Sequence, residues 1–292
     1  MRGALLMMAA MASFTINDTF MKSLSGDLPL FQALFVRGAA TTVFLYAMAK
    51  GMSAFRLNLS GRDWVLLTVR SLAEVAAAYL FISALFHMPL ANVTAILQAL
   101  PLTIALAGAI FLREAVGWRR IIAICVGFFG VMLIVRPGPE GFSIYSLYAL
   151  GAVAAVTLRD LTTRRISHDV PALTVAFAAA AAVTVFSGLG LFGVDWIEIT
   201  PLAGWKLAGS TLFVVLGYLC SVSVMRVGDI DFVAPFRYTG LIWALLLGFV
   251  IFDEWPRPLT MLGVAIVAGT GFFTLYRERR MARPVPEKLR IR

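Results

Sequence analysis

ANVTAILQALPLTIALAGAIFLREAVGWRRIIAICVGFFGVMLIVRP, residues 91–137, is answered 140 residues later by DFVAPFRYTGLIWALLLGFVIFDEWPRPLTMLGVAIVAGTGFFTLYR, residues 231–277. Each copy reads as an apolar helix, an acidic turn (Glu114 in the first, Asp253 and Glu254 in the second) and a Gly-rich apolar helix closed by arginine. The correspondence extends backwards. The run from Glu74 through Tyr79 to Leu80 matches Phe213 through Tyr218 to Leu219, and Asp18 to Lys22 followed by Asp27 matches Asp160 to Arg164 followed by Asp169. The offsets are 142, 139 and 140, so one half of the chain is a diverged copy of the other.

Composition sets the solvent. Mean hydropathy is +0.88, 60% of residues are hydrophobic and 14% are charged. A 292-residue soluble core cannot absorb that much apolar surface, so a bilayer must take up the rest. Residues 1–22 have no small-x-small cleavage pattern after their apolar run, and the matching stretch near Asp160 lies mid-chain. They are read as a retained helix rather than a signal peptide.

Runs of roughly 20 apolar residues, marked off by charges, Gly and Pro, place membrane spans at 3–22, 29–49, 62–86, 90–112, 117–136, 144–165, 171–193, 202–226, 231–252 and 258–277. The reading is an all-α integral membrane fold of ten transmembrane helices in two five-helix repeats, 1–140 and 141–277, with a basic tail at 278–292. Eighteen Lys and Arg fall at the termini and even-numbered connections and four at the odd ones, which puts both termini in the cytoplasm. Five spans per repeat is odd, so the second copy enters the membrane inverted. Inverted repeats build a site at their interface near mid-membrane and permit alternating access. The net charge of +9 follows helix ends and the tail, as in membrane proteins, and does not indicate nucleic acid.

Several residues stand out against the apolar background. Tyr79 and its counterpart Tyr218 lie several residues deeper than interface-belt positions; they line opposite ends of a cavity or serve as belt tyrosines. Ser83 follows in the same stretch as Tyr79. Thr94 and Gln98 share a face of the fourth helix, with Tyr238 equivalent to Gln98 and Trp243 beyond it. These either face the cavity or hydrogen-bond between helices. Asn17 and Asp18 sit in the first span, with Arg37 across the hairpin close enough to pair with Asp18, while Arg70 and Glu74 are four apart. With Asp160 and Arg237 they either neutralise one another or form a proton or substrate-charge site. Glu114 and Glu254 read as solvated turn residues, and Cys125 and Cys220 as small core residues. The small residues Ala123, Gly127, Gly130, Gly263, Gly269 and Gly271 suit close helix approach, within the monomer or in a dimer.

Enzyme chemistry finds no motif: HExxH, GxSxG and the phosphate-loop GK[ST] are absent, and His87 and His168 belong to opposite sides of the membrane. No metal or cofactor is expected.

The YLFISAL segment at 79–85, the ANVTAILQALPL segment at 91–102, the acidic turns and the Gly-rich helix after each resemble the EamA-type permeases of the drug/metabolite transporter superfamily, over essentially the whole chain. Within it the chain looks like the bacterial exporters of aromatic amino acids. The resemblance implies a basket of spans 1, 3, 4, 6, 8 and 9 around a central cavity in the inner membrane. It also implies a monomer or weak homodimer that exports amino acids and related small metabolites. A vitamin or nucleoside permease, or in another class a channel, are the alternatives.

Overall fold

In a computed structural model, residues 2–52, 54–111, 118–135, 143–167, 169–227 and 234–281 are described. They form α1 (Arg2–Ser23), α2 (Leu30–Gly51), α3 (Gly61–His87), α4 (Leu90–Leu97), α5 (Leu100–Phe111), α6 (Trp118–Val135), α7 (Ile144–Thr163), α8 (Ala172–Gly190), α9 (Pro201–Val227), α10 (Thr239–Phe252) and α11 (Pro258–Met281). A 3-10 turn, Ala234–Tyr238, leads into α10. Among the described residues seven spans are long and apolar enough to cross a bilayer, and three apolar helices are shorter. The chain is an all-helical, ten-span membrane protein. Proline marks the helix starts: Pro29, Pro89 and Pro171 precede α2, α4 and α8, while Pro201 and Pro258 open α9 and α11. Its fixed φ suits the first turn, and its missing N–H would be unpaired there anyway.

The fourth span, read from the sequence as one run over 90–112, divides into two helices. Pro101 cannot donate to the carbonyl of Leu97, so the helix is interrupted at Gln98–Ala99. The Gln98 N–H is shared between the carbonyls of Thr94 (3.1 Å) and Ala95 (3.2 Å). In the second repeat the 3-10 turn gives way to α10 after Tyr238, the residue equivalent to Gln98. Both halves therefore change helical geometry at the same position of the span, where non-regular backbone is tolerated only inside protein or beside water.

Hydrogen bonds display the inverted repeat directly. Gln32 of α2 donates through Nε2 to the Ile197 carbonyl (2.6 Å) and accepts through Oε1 from the Ile197 N–H (3.0 Å). Thr174 of α8, 142 residues on, donates to the Ala54 carbonyl (3.0 Å) and accepts from the Arg56 N–H (3.1 Å). Each side chain ties down the extended connection of the other repeat, at opposite ends of the molecule.

The helices pack in crossed pairs, α1 with α9, α3 with α7, α2 with α8 and α6 with α11. Phe14 and Phe20 of α1 fill the space left by Gly217 and Gly209 of α9, where a Cβ would stand 2.7–2.8 Å from the rings. The Gly-rich helices α6 and α11 meet backbone to backbone within the monomer: a Cβ on Gly263 would lie 2.6 Å from the Gly130 carbonyl oxygen. Cys125 is exposed on α6, a correction to its expected place in the core; small size suits either environment, and its helix face decides.

One asymmetry breaks the repeat. Among the described residues α1 also packs on α3, whereas their counterparts α7 and α9 make no comparable contact. The α1–α3 contact draws the molecule together at the end holding Lys22, while at the other end Asp63 of α3 accepts from the backbone N–H (3.1 Å) and the hydroxyl (3.0 Å) of Ser167.

Candidate translocation site

Charged side chains from both repeats gather between α1, α2, α3 and α7, beside Tyr218 of α9. Glu74 is the hub on the α3–α7 side. It pairs with Arg70 one turn earlier (3.4 Å) and with Arg159 of α7 (3.3 Å), which in turn donates through Nε to Asp160 (2.9 Å). Arg70 also donates to the Thr163 hydroxyl (3.2 Å), and its Nη1 is buried without a partner. On the α1 side Asn17 is the hub. Its carbonyl oxygen accepts from Arg37 (3.2 Å) and from the Ser210 hydroxyl (2.7 Å), and its amide donates to Asp18 (2.9 Å). Arg37 lies in electrostatic range of Asp18, Tyr218 and Glu74, which joins the two groups.

The expected direct Asp18–Arg37 pair is thus replaced by a relay through Asn17, because the buried amide can face an anion with its N–H and a cation with its carbonyl. Arg237 is exposed and stands apart from the cluster. Arg159, one of the eighteen positive residues assigned above to termini and even-numbered connections, has its side chain three-quarters buried on Glu74. The sequence did carry a signal, an Arg-Asp pair inside an apolar repeat.

Three acids (Asp18, Glu74, Asp160) and three arginines (Arg37, Arg70, Arg159) leave the constellation neutral. Charges at membrane depth persist only when paired or facing water. Glu74 and Arg159 are ion-paired, and Asp18 and Arg37 are bridged by Asn17. Among the described residues no group of His, Cys, Asp and Glu could hold a metal ion.

Above this cluster, toward the Lys22 end, rings form a wall. Tyr79 packs on Phe31 (5.7 Å, stacked), Phe186 (5.9 Å) and Tyr148 (6.4 Å), and Tyr145 continues the wall to His87. Tyr218 meets Phe14 edge-on at 5.7 Å.

The remaining expected residues lie around the interrupted spans. A Cβ on Gly240 of α10 would be 3.7 Å from the Gln98 amide nitrogen, and the Thr15 hydroxyl is 3.4 Å from the Gly240 carbonyl. Gln98 caps α4 with helical backbone, and its N–H reaches the Thr94 carbonyl one turn earlier (3.1 Å). The hydroxyls of Ser83 and Thr94 are buried without partners. So is that of Tyr238, which turns toward α11 into space that only Gly271 leaves open. Trp243 is half-buried.

At the drawn-together end, the sequence reading missed the decisive contact. Lys22 pairs with Glu254 (3.0 Å) and donates to the carbonyls of Met88 (2.6 Å) and Leu85 (3.4 Å), while Glu254 accepts from the Leu90 N–H (3.0 Å). The cation neutralises the carbonyl end of α3, and the carboxylate caps the amide end of α4. Glu254 is therefore a largely buried clasp, its side chain 25% exposed, rather than a solvated turn residue. Asp253 aims it: its left-handed backbone (φ 53°), tolerable for a short polar side chain, turns the chain back under α10. A second tie, Lys206 to Asp27 (2.5 Å) and to the Ser23 carbonyl (2.8 Å), closes the same end. Glu114, His168 and residues 282–292 of the tail lie outside the described residues.

Comparison with known proteins now fits this geometry. Residues 1–136 match the EamA-like transporter family. The first half of the chain is thus similar to EamA-type permeases. The chain is 27% identical over 289 residues to a riboflavin transporter of Vibrio cholerae, covering 97% of this chain and 96% of the relative. It is 26% identical over 278 residues to the pseudopaline exporter CntI of Pseudomonas aeruginosa (91% and 93% covered). It is 24% identical over 273 residues to an S-adenosylmethionine uptake transporter of Rickettsia conorii (93% and 91% covered). A protein of known crystal structure shares the fold at 18% identity, with a TM-score of 0.63 and 96% and 98% of the two chains covered. The permease is a multi-pass membrane transporter of small metabolites. The expected likeness to amino-acid exporters narrows to this, because the relatives' named cargoes are diverse and their directions opposite.

Proposed function

We propose that this permease is an inner-membrane secondary transporter that exports amino acids, including aromatic and apolar ones, by alternating access. The observation that carries the reading is the neutral cluster centred on Glu74 and Asn17. A zwitterion presents a carboxylate and an ammonium a few Å apart. It can exchange with the internal pairs, its carboxylate meeting Arg37, Arg70 or Arg159 and its ammonium meeting Glu74, Asp18 or Asp160, without leaving net charge in the membrane. The ring wall around Tyr79 offers an apolar or aromatic side chain a place to lie.

With α1 held on α3 and the Lys22 clasp closed, we take the open end of the site to lie past α7 and α9. The charge bias assigns that open end to the cytoplasm, as it does both termini. The state is then the one that receives cytoplasmic substrate, the first step of an export cycle. Reporter fusions after residue 280 that were active only in the periplasm would reverse both assignments.

Uptake into liposomes by the purified chain tests the cargo. Radiolabelled phenylalanine, tryptophan and leucine should accumulate and compete with one another, with riboflavin and S-adenosylmethionine as comparison cargoes. Transport of riboflavin alone would replace the amino-acid reading. A pH gradient imposed on the same vesicles asks whether protons are coupled.

A further inference from the structure

A second feature lies on the far side of the α3–α7 pair from the charged cluster. A cleft of about 770 Å³ is bounded by α3, α5, α6 and α7. Its floor is buried and apolar, with Ala99, Val131 and Val153 each at most 3% exposed, and its lips are the surface residues Val69, Phe111 and Leu158. In a ten-span membrane protein those lips face lipid, so the cleft opens sideways into the bilayer.

Its polar groups are already satisfied. Thr103 and Thr157 share a hydrogen bond (2.7 Å) and also bond the carbonyls of Leu100 and Val153, and Thr162 donates to Leu158. Water or a polar cargo would find no partner in the floor, and hydrocarbon needs none. One group differs. Arg165, at the rim, is exposed and makes no ion pair among the described residues. From Arg165, two residues past the end of α7, the cleft runs back along the helix to Leu150, about 20 Å of helical rise from Thr163. That exceeds the roughly 15 Å depth of one leaflet's hydrocarbon, so a chain anchored at Arg165 can lie along it and reach the interrupted fourth span at Ala99.

We propose that this cleft is a binding site for one anionic phospholipid of the surrounding bilayer, its acyl chains along α7 and α5 and its phosphate on Arg165. A guanidinium forks onto phosphate oxygens, and a basic group at the membrane surface favours anionic over neutral headgroups. Because α5 and α7 are helices of the basket and α6 is not, the bound lipid wedges between a core helix pair and the peripheral helix.

The test uses the full chain in nanodiscs with a phosphatidylglycerol carrying a diazirine on one acyl chain, followed by peptide mapping. Labels should concentrate at residues 99–107 and 150–162. Unlabelled phosphatidylglycerol should compete about fivefold better than phosphatidylcholine, the preference one surface arginine supplies. Arg165→Gln should bring the two competitors within twofold while labelling persists. Ala154→Trp, at an exposed cleft position that tolerates bulk, should remove the label from both segments. Labels spread evenly over α2, α6 and α11 would mean annular lipid only and overturn the site. So would undiminished labelling in Ala154→Trp, or equal competition by phosphatidylcholine in the native chain.

Discussion

Lys22 and Glu254, 232 residues apart and one from each repeat, close a 3.0 Å ion pair over the turn that joins α3 to α4. The lysine side chain is 9% exposed and the carboxylate 25%, so the contact is screened by little water. Lys22 also donates to the Leu85 and Met88 carbonyls, so the same side chain ties α1 to the end of α3. In an alternating-access carrier such a contact belongs to one state, and removing it shifts the population toward the other.

Lys22→Met should therefore open this end. Breaking a buried pair costs several kcal/mol; with Glu254 a quarter exposed, about 2 kcal/mol is the expected loss, roughly thirtyfold in the equilibrium. In a chain with Cys125 and Cys220 replaced, Ser83→Cys sits buried on α3 near the clasp. Membrane-impermeant thiol reagents added from the Lys22 side should label it faster when Lys22 is Met. An unchanged rate would assign the pair to fold stability alone.

Glu74→Gln removes the carboxylate shared by Arg70 and Arg159 and leaves two guanidinium groups facing each other. Amino-acid transport should fall at least tenfold with the protein still folded, as judged by size-exclusion elution and helical circular dichroism. Glu74→Asp, which keeps the charge, should recover part of it.

The paired ties of Gln32 and Thr174 should fail alike. Gln32→Leu and Thr174→Val each strip two hydrogen bonds from a connection backbone, a loss of about 1–3 kcal/mol. Limited proteolysis should cut near residue 197 in the first variant and near residue 55 in the second. Cleavage of the same connection in both would contradict the crossed arrangement.

Gly263→Ala places a methyl 2.6 Å from the Gly130 carbonyl oxygen, a backbone atom that cannot swing aside. Overpacking of roughly 1–3 kcal/mol should lower the melting temperature by several degrees. Gly269→Ala, on the same helix with open space at its Cβ, should not.

Much of this architecture was legible in the sequence because its signals are long or repeated. A run of 20 apolar residues is a bilayer thickness in helical rise, and an offset held near 140 from Asp18 to Arg277 leaves one arrangement of halves. The Arg70–Glu74 pair follows from helical spacing alone. The contacts that join the repeats were not legible, since nothing local to Glu254 points to Lys22 and nothing local to Asn17 says that its amide stands between Asp18 and Arg37. The break at Gln98 was hidden for another reason. Pro101 marks it, but the second copy breaks at Tyr238 with no proline at the matching position, so comparison of the halves by residue type obscured a shared backbone feature.

The most direct test of the account is counterflow in proteoliposomes preloaded with unlabelled phenylalanine, with external tracer at low concentration. A carrier whose single site alternates between the two ends should accumulate tracer transiently above its external level, and Glu74→Gln should abolish the overshoot. Tracer that merely equilibrates, at the same rate in preloaded and empty vesicles, would mean a pore and contradict alternating access at this site.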